Sequence, residues 1–538
     1  MLLKPTHHIM PASLGLTLLW AVLYLPILGL APLFDYDETI YAQTALDMLH
    51  QSQFIVPQAN GLFFFEKPPF TYYLMQGAYL LFGENAFSAR LPSALFTLFG
   101  ALYLLYLGKR VSGITTGVMM ACIYLTLLET GLLGHAAILD AVLNFWILLA
   151  LGSYILWSMF DLRRDALWCA VAMGVAVSIK GPVGLVIPCA IIVVDRVLSG
   201  QWRKLVSIPW IACLALFFLC ASPWYILIVM VQGWGFLYEF IMVHNIGRAL
   251  NPMQGHSGAW YYYLMVFCVA VLPWLAWMPS VWLQTWRQRK CADPEAWILR
   301  LCLIWIVLVI VIFTIAQTKL PHYISSLLPA VAISLGLFLH HYFPSLPTLN
   351  KIKYATTLLL LPLIVLLASL FLWFPKVTQW VHHPRALAIL SQDVTPSNWI
   401  VVSGVFLLLT LLYVLYNQKK TYIFGSFVAL AFLLQIALFG TLAPFAAKFS
   451  QGPSLAIAQE IKDLNPEVAV LSYHLNLPSI SFYSGRSYHV VLDAKDPLFA
   501  NDQTFALILR DEHRESITQP MQTLLKQGGL QLLFHKAQ

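Results

Sequence analysis

Three carboxylates, Asp35, Asp37 and Glu38, fall within four residues directly after an apolar run. One acid at a helix start is favourable by itself, because it faces unpaired N–H groups and the positive end of the helix dipole. Three acids at the edge of an apolar run exceed that need, since each must stay solvated or paired; Asp37 is the candidate for a functional role. Further on, Phe65-Glu66-Lys67-Pro68-Pro69 sets an acid–base pair ahead of two prolines that hold Lys67 extended. Such a pair suits phosphate recognition by Lys67, with Glu66 either ligating a metal or forming a salt bridge. The alternative is an ordinary surface ion pair. Asp140 lies in the apolar stretch 135–146, where a carboxylate is costly unless it faces a cavity or a partner. Arg248, after His244 and Asn245, is suited to bidentate phosphate binding, and His256 is either a metal ligand or a capped polar side chain. The cluster Thr318-Lys319-Leu320-Pro321-His322-Tyr323 offers one more cation, unless Lys319 snorkels to a membrane interface. Lys180-Gly181-Pro182 carries the same two readings.

The elements that must position these residues are set by composition. Of 538 residues, 60% are hydrophobic and 10% charged, with mean hydropathy +0.75; soluble domains carry about 25% charged residues. This excludes a cytosolic globular enzyme, a disordered chain and a disulfide scaffold, and indicates a polytopic membrane protein. The eight cysteines lie in apolar runs or in the basic stretch near 290 and show no metal-binding spacing, so buried thiols are expected.

Thirteen apolar runs are long enough, or nearly so, to span a bilayer: 11–33, 88–108, 112–131, 136–160, 166–180, 182–195, 206–231, 260–284, 298–317, 323–343, 355–374, 398–416 and 421–443. With the N-terminus inside and strict alternation, the inside connections collect fifteen Lys and Arg and the outside ones seven. That bias predicts a cytoplasmic N-terminus and a periplasmic C-terminus. The outside cations, Lys67, Arg90, Lys180, Arg248 and Lys319 among them, run against it, and an anionic ligand at the outer face would account for them.

The chain thus divides into a transmembrane domain, 1–444, with a long outside loop at 34–87, and a soluble domain, 445–538. In the loop, 38–50 places Ile40, Tyr41, Ala45, Leu46 and Leu49 on one helical face, as in a helix lying along the membrane interface. In the tail, 467–473, 489–493, 505–510 and 530–536 read as strands, and 454–464 and 515–527 as helices, which predicts a small α/β domain.

These residues, in this order, resemble bacterial membrane glycosyltransferases of the protein O-mannosyltransferase superfamily, in particular its lipid A aminoarabinose transferase branch. The resemblance rests on Asp37-Glu38 with Tyr41-Ala42, Val56-Pro57, Glu66-Lys67-Pro68-Pro69 and Ala89-Arg90-Leu91-Pro92-Ser93. It continues through Asp140, Lys180-Gly181-Pro182, His244-Asn245 with Arg248, Lys319-Leu320-Pro321 with Tyr323, and Phe482-Tyr483-Ser484-Gly485-Arg486. Ile40 and Gln43 depart from it, standing where that branch commonly has Arg and Glu. The resemblance implies the GT-C fold, an α-helical polytopic membrane protein with a small C-terminal periplasmic domain, in the bacterial inner membrane. It implies inverting transfer of a sugar, aminoarabinose in that branch, from a polyprenyl-phosphate donor to a lipid A-type acceptor. Asp37 is then the catalytic carboxylate, with Asp140 near it. Lys67 and Arg248 bind the donor phosphate, Tyr41, Lys319 and Tyr323 join the substrate site, and Glu66 and His256 are the pair able to hold a divalent metal ion.

That chemistry fits the residues. The donor's phosphate leaves as an anion, which cations in a water-poor site stabilise, and a carboxylate can orient or deprotonate the acceptor. The donor's hydrocarbon tail requires the site to sit at the bilayer boundary. Two other readings are a protein O-mannosyltransferase-like enzyme acting on Ser/Thr and a non-enzymatic lipid-sugar transporter. Transporters often repeat halves with broken helices at matching places, and no such duplication is present. The expected partners are the donor, a lipid or protein acceptor and membrane lipids, and not nucleic acid.

Overall fold

The structure, a computed structural model, describes residues 9–247, 250–251, 258–291, 293–343, 348–390, 396–493, 499, 503–517 and 519–537. Each of the thirteen apolar runs carries a helix or a broken helix pair. Among the described residues eight continuous helices are long and apolar enough to cross a membrane, and two bent pairs bring the number to ten. The other three runs form the shorter helices Ile9–Tyr24, Arg163–Lys180 and Val183–Leu198. The first run is helical over less of its length than expected: the helix ends at Tyr24 and Pro26 follows, which disfavours helix in the residue before it. The protein is a multi-pass membrane protein.

The bent pairs are Ile114–Thr126 with Leu128–Gly134, at 67°, and Tyr262–Ala270 with Trp274–Arg287, at 103°. Broken backbone at membrane depth survives only if its polar groups find partners inside the protein. Here the two breaks serve each other: the Leu128 N–H donates to the Leu272 carbonyl at 3.0 Å. The fully buried Gln435 Nε2 donates to the carbonyls of Leu125 (3.0 Å) and Leu127 (3.1 Å). Gly131 makes room for it, since a Cβ there would stand 2.6 Å from Gln435 Cδ.

The helix ends sort into two groups, as alternation demands. At one end Ser112 meets His341 (3.3 Å), His341 pairs with Glu295, and the Trp297 indole donates to Asp195 (3.0 Å). The other end carries Asp37, Lys67, Asp140, Lys180 and the C-terminal domain. There the helices Asp37–His50 and Phe70–Phe82, with the hairpin of β1 (Gln58–Ala59) and β2 (Leu62–Phe63), cap the bundle.

One buried ion pair ties this cap to the membrane helices. Arg90, 3% exposed in the helix Ala86–Val111, donates from Nε and Nη2 to the two Glu38 oxygens at 2.8 and 2.7 Å. Its remaining N–H groups reach the carbonyls of Leu28, Ala31 and Pro32. The Glu38 carboxylate also accepts from the N–H groups of Ala137 (2.7 Å) and Phe34 (2.9 Å). Arg90 therefore needs no anionic ligand to explain it; Glu38 is its counter-charge.

The C-terminal domain is a five-stranded mixed sheet in the order β4-β3-β5-β7-β6, built from β3 (Ala469–Tyr473), β4 (His489–Val491), β5 (Phe505–Arg510), β6 (Gln522–Gln527) and β7 (Leu530–His535). β3 is parallel to β4 and β5, and β7 is antiparallel to β5 and β6. Both faces of β5 are covered, Ala506 and Ile508 on one side and Phe505, Leu507 and Leu509 on the other. The helix expected over 515–527 does not form: 511–516 is a 3-10 turn and 522–527 is β6. Gly528 and Gly529, at φ 55° and 81°, make the tight hairpin into β7, and this glycine pair outweighs the helical period of the preceding residues. The helix Pro478–Ser484 was not anticipated.

That unanticipated helix docks the domain. Asp35 accepts hydrogen bonds from the Ser479 N–H (3.0 Å), the Ser479 hydroxyl and the Thr39 hydroxyl (2.6 Å). The Leu33 N–H donates to the Tyr483 hydroxyl at 2.8 Å, and Phe482 joins the apolar cluster under the Asp37–His50 helix. That helix is buried from Glu38 to Met48 except at Tyr41, so its contacts are with the protein on nearly every side, and it is packed between bundle and C-terminal domain. The Arg486 guanidinium donates to the carbonyls of Ile461, Leu464 and Val468, all within the domain, so in this motif Phe482 and Tyr483 dock the domain and Arg486 braces it internally.

Two stability tests follow from these networks. Gln435→Leu removes one of two donors at each of these carbonyls, which keep the Tyr24 hydroxyl (3.2 Å) and the Gly131 N–H (3.0 Å), and should cost about 0.5–1.5 kcal/mol, read as a lowered thermal midpoint in detergent. Glu38→Gln leaves the buried Arg90 charge uncompensated and should cost about 3–5 kcal/mol; a midpoint equal to wild type would mean the pair does not hold the cap.

Candidate active site

Two cavities meet between the cap and the bundle. One, of about 360 Å³, is lined by Tyr36, Asp37, Ile40, Tyr41, Glu66 and His322 together with Lys67, Lys180 and Tyr323. The other, of about 320 Å³, shares Lys67, Lys180 and Tyr323 and adds Asp140, Asn144, His244 and Asn245. Most of its remaining wall is apolar, with Leu143, Val183, Ile187, Ile312, Phe313 and Ile315 contributed by membrane helices, and Thr318, Ser325 and Ser326 add hydroxyls. A polar chamber thus adjoins a largely apolar groove between spans, with two lysines and a tyrosine common to both walls.

Helix ends deliver the charged groups. Asp37 is the first residue of Asp37–His50 and Asp140 the first of Asp140–Phe160, each at a positive helix end. Lys180 is the last residue of Arg163–Lys180, at a negative end. The next residue, Gly181, has φ 72°, a conformation side chains disfavour, and a Cβ there would also stand 2.8 Å from the Phe240 ring. Lys67 is 8% exposed, held just before Pro68-Pro69 where the helix Phe70–Phe82 begins.

The three neighbouring acids divide their tasks. Asp35 faces Ser479 and Glu38 faces Arg90, so of the three only Asp37 lines the cavity. Asp140 pairs with Lys180 at 2.6 Å and lies 3.9 Å from His322 Nε2. The Lys180 ammonium also stands over the Tyr323 ring, 5.2 Å from its centroid. Deeper in, the Ser325 hydroxyl donates to Asn144 Oδ1 at 3.3 Å. Burial, reinforced by Asp37, drives the Tyr41 phenol well above its ordinary pKa, so it remains a hydrogen-bond donor. Burial and Glu66 push Tyr36 up to about 12. Asp35 is raised by burial, against the opposing hydrogen bonds from Ser479 and Thr39.

Of the residues singled out by sequence, Asp37, Tyr41, Glu66, Lys67, Asp140 and Tyr323 come together on these two cavities. Lys319 does not: its ammonium donates to the carbonyls of Thr314 (2.8 Å) and Ala316 (3.0 Å), closing the end of the helix Pro294–Ile315. Arg248 and His256 lie outside the described residues. Among the described residues no three His, Cys, Asp or Glu side chains converge as a metal cage; of the proposed ligand pair they contain Glu66 alone, and no step below is routed through a metal. Lys180 and His322 are the site residues that sequence reasoning undervalued. Their signals were present, a lysine followed by Gly-Pro and a histidine following Pro, but nothing in the spacing shows that both face Asp140.

Comparison with known proteins relates the sequence and the overall fold to characterised chains. Residues 66–227 match the family model of dolichyl-phosphate-mannose-protein mannosyltransferase. The chain is 28% identical over 322 residues to an undecaprenyl phosphate-alpha-4-amino-4-deoxy-L-arabinose arabinosyl transferase of Yersinia enterocolitica, covering 59% of this chain and 56% of that one. It is 29% identical over 377 residues to the enzyme of that name from Erwinia tasmaniensis, covering 69% and 66%. The matched region thus spans 56–66% of the length of these relatives. The crystal structure of ArnT from Cupriavidus metallidurans bound to undecaprenyl phosphate superposes with TM-score 0.79 over 99% of this chain and 98% of that one, at 20% identity. The chain is a membrane protein of the GT-C fold, similar in sequence to the bacterial undecaprenyl phosphate-aminoarabinose arabinosyl transferases.

Proposed function

We propose that this protein is an inverting glycosyltransferase of the bacterial inner membrane. It moves a sugar from a polyprenyl-phosphate donor to a lipid A-type acceptor, aminoarabinose being the sugar its relatives' names indicate. The observation that carries this reading is the adjacency of the two cavities: a chamber lined by Asp37, Glu66, Lys67 and Lys180 shares Lys67, Lys180 and Tyr323 with a largely apolar groove between membrane helices. That shape suits a ligand with an anionic head and a long hydrocarbon tail. The excess of Lys and Arg in alternate connections supports a chamber on the periplasmic side, with the N-terminus in the cytoplasm.

In the reaction the acceptor oxygen attacks the anomeric carbon and the bond from that carbon to the phosphate oxygen breaks. The phosphate departs with the electron pair. Lys67 and Lys180 stabilise the charge it gains, and Arg248 joins them in the proposal through its family position. Asp37 takes the proton of an acceptor hydroxyl, or only orients an acceptor that is already an ionised phosphate. Asp140 holds Lys180 by their ion pair, and His322 completes that contact on the other side. Attack opposite the leaving group inverts the anomeric centre. The family match over 66–227 favours, as a second reading, transfer to protein Ser/Thr by the same chemistry.

In purified protein, Asp37→Asn and Lys67→Ala should each lower release of polyprenyl phosphate from a radiolabelled donor by about 100–1,000-fold while the protein accumulates normally. Wild-type rates in either would remove that residue from the mechanism. Lys180→Met should lower turnover to a similar degree, whereas Lys319→Met, whose ammonium caps a helix and stands over the Tyr263 ring away from both cavities, should leave turnover per folded molecule unchanged. Mass spectrometry of lipid A and of envelope proteins from a deletion strain distinguishes the acceptors: loss of a lipid A substituent supports the first reading, loss of a protein glycan the second.

A further inference from the structure

A cavity of about 660 Å³ is at the end of the bundle opposite the C-terminal domain and takes no part in the site above. Five cationic side chains, Arg196, Lys204, Arg289, Lys290 and Arg300, line it against a single carboxylate, Asp195. Cations at this end are expected from the topology alone, but topology asks only that they reach water. It does not explain why one of them is almost wholly buried in the wall of a concavity.

Arg196 is 1% exposed. Its guanidinium packs over the rings of Tyr154 and Trp157, 4.8 and 5.3 Å from their centroids, and donates to Gln201 Oε1 (3.1 Å) and the Ser158 hydroxyl. Its Nε has no hydrogen-bond partner and lies 3.9 Å from Asp195. That carboxylate is already engaged by the Tyr154 hydroxyl and by the Trp297 indole at 3.0 Å. The buried cation is thus neutralised only in part. Across the cavity Arg300 is fixed by the carbonyls of Gln288 (3.2 Å) and Cys291 (3.0 Å), and the Arg289 guanidinium lies over the Trp286 ring, 4.2 Å from its centroid. These are positioned cations around an open concavity, and the exposed Trp286 sits at its rim, as at a membrane interface.

We propose that this cavity is a second anion site, binding a phosphate mono- or diester such as the headgroup of an anionic phospholipid. Basic pockets between membrane helices at this depth suit lipid phosphates, and the guanidinium groups suit phosphate geometry. The apolar side chains Leu198, Leu303 and Ile304 in the same wall offer a path for acyl chains. The proposal is independent of the sugar-transfer reading, because no residue is shared.

The test uses full-length protein, delipidated in detergent and titrated with cardiolipin, phosphatidylglycerol or phosphatidylcholine under native mass spectrometry, with inorganic pyrophosphate in a parallel arm. The exposed pair Arg289→Gln/Lys290→Gln avoids unfolding the Arg196 cluster, and Arg163→Gln/Arg164→Gln removes two cations at the same end outside the cavity. Wild type should select the anionic lipids over phosphatidylcholine. The cavity pair should weaken that binding about fivefold or more per charge, and the outside pair should leave it unchanged. Pyrophosphate binding that is lost in the cavity pair, without lipid selection, would keep the site and make its source soluble. Equal loss in both pairs, or no loss in the cavity pair, would overturn the proposal.

Discussion

The Glu38–Arg90 contact constrains everything at the cap end of the molecule. A buried bidentate pair, with its spare donors and acceptors met by backbone groups, fixes the first turn of the Asp37–His50 helix against the membrane helix Ala86–Val111. Asp37 is the neighbouring residue, so its position is inherited from that lock. Breaking such a pair exposes an uncompensated charge in a low-dielectric environment, and for this reason the loop cannot drift while the pair survives. The site is therefore precise although its carboxylate belongs to a connection between spans.

A second constraint works from the opposite direction. Asp35 is held by Ser479, and Leu33 by Tyr483, so the C-terminal sheet domain clamps the loop from outside. The cap is caught between a membrane helix and a soluble domain. This gives the domain a physical role in shaping the chamber without requiring it to touch substrate.

Membrane burial sets the same rule throughout: a polar group that leaves water must meet its partner inside the protein. The two broken spans satisfy each other through Leu128, Leu272 and Gln435. Lys319 satisfies the end of its own helix, and Lys180 is met by Asp140. Once these are accounted for, the charged groups on the two adjoining cavities are few, and they stand beside a largely apolar groove, the arrangement on which the proposed function rests.

How much of this was legible varied by element. The helix order followed directly from apolar length, because the bilayer admits few alternatives. Four strands of the tail followed from apolar patterning. The fifth was missed because a helical period at 515–527 was weighed above the Gly528-Gly529 turn. Sequence by itself determined the class of protein, the alternation of its ends and a set of chemistry-bearing residues that contains Asp37, Lys67 and Asp140. Only the tertiary structure decided which acid is occupied by Arg90, which by Ser479 and which faces the cavity, and that Lys180, not Lys319, stands at the site. The reason is that a residue type fixes a charge, whereas its counter-charge, here 52 or 40 positions away in the chain, is chosen by packing.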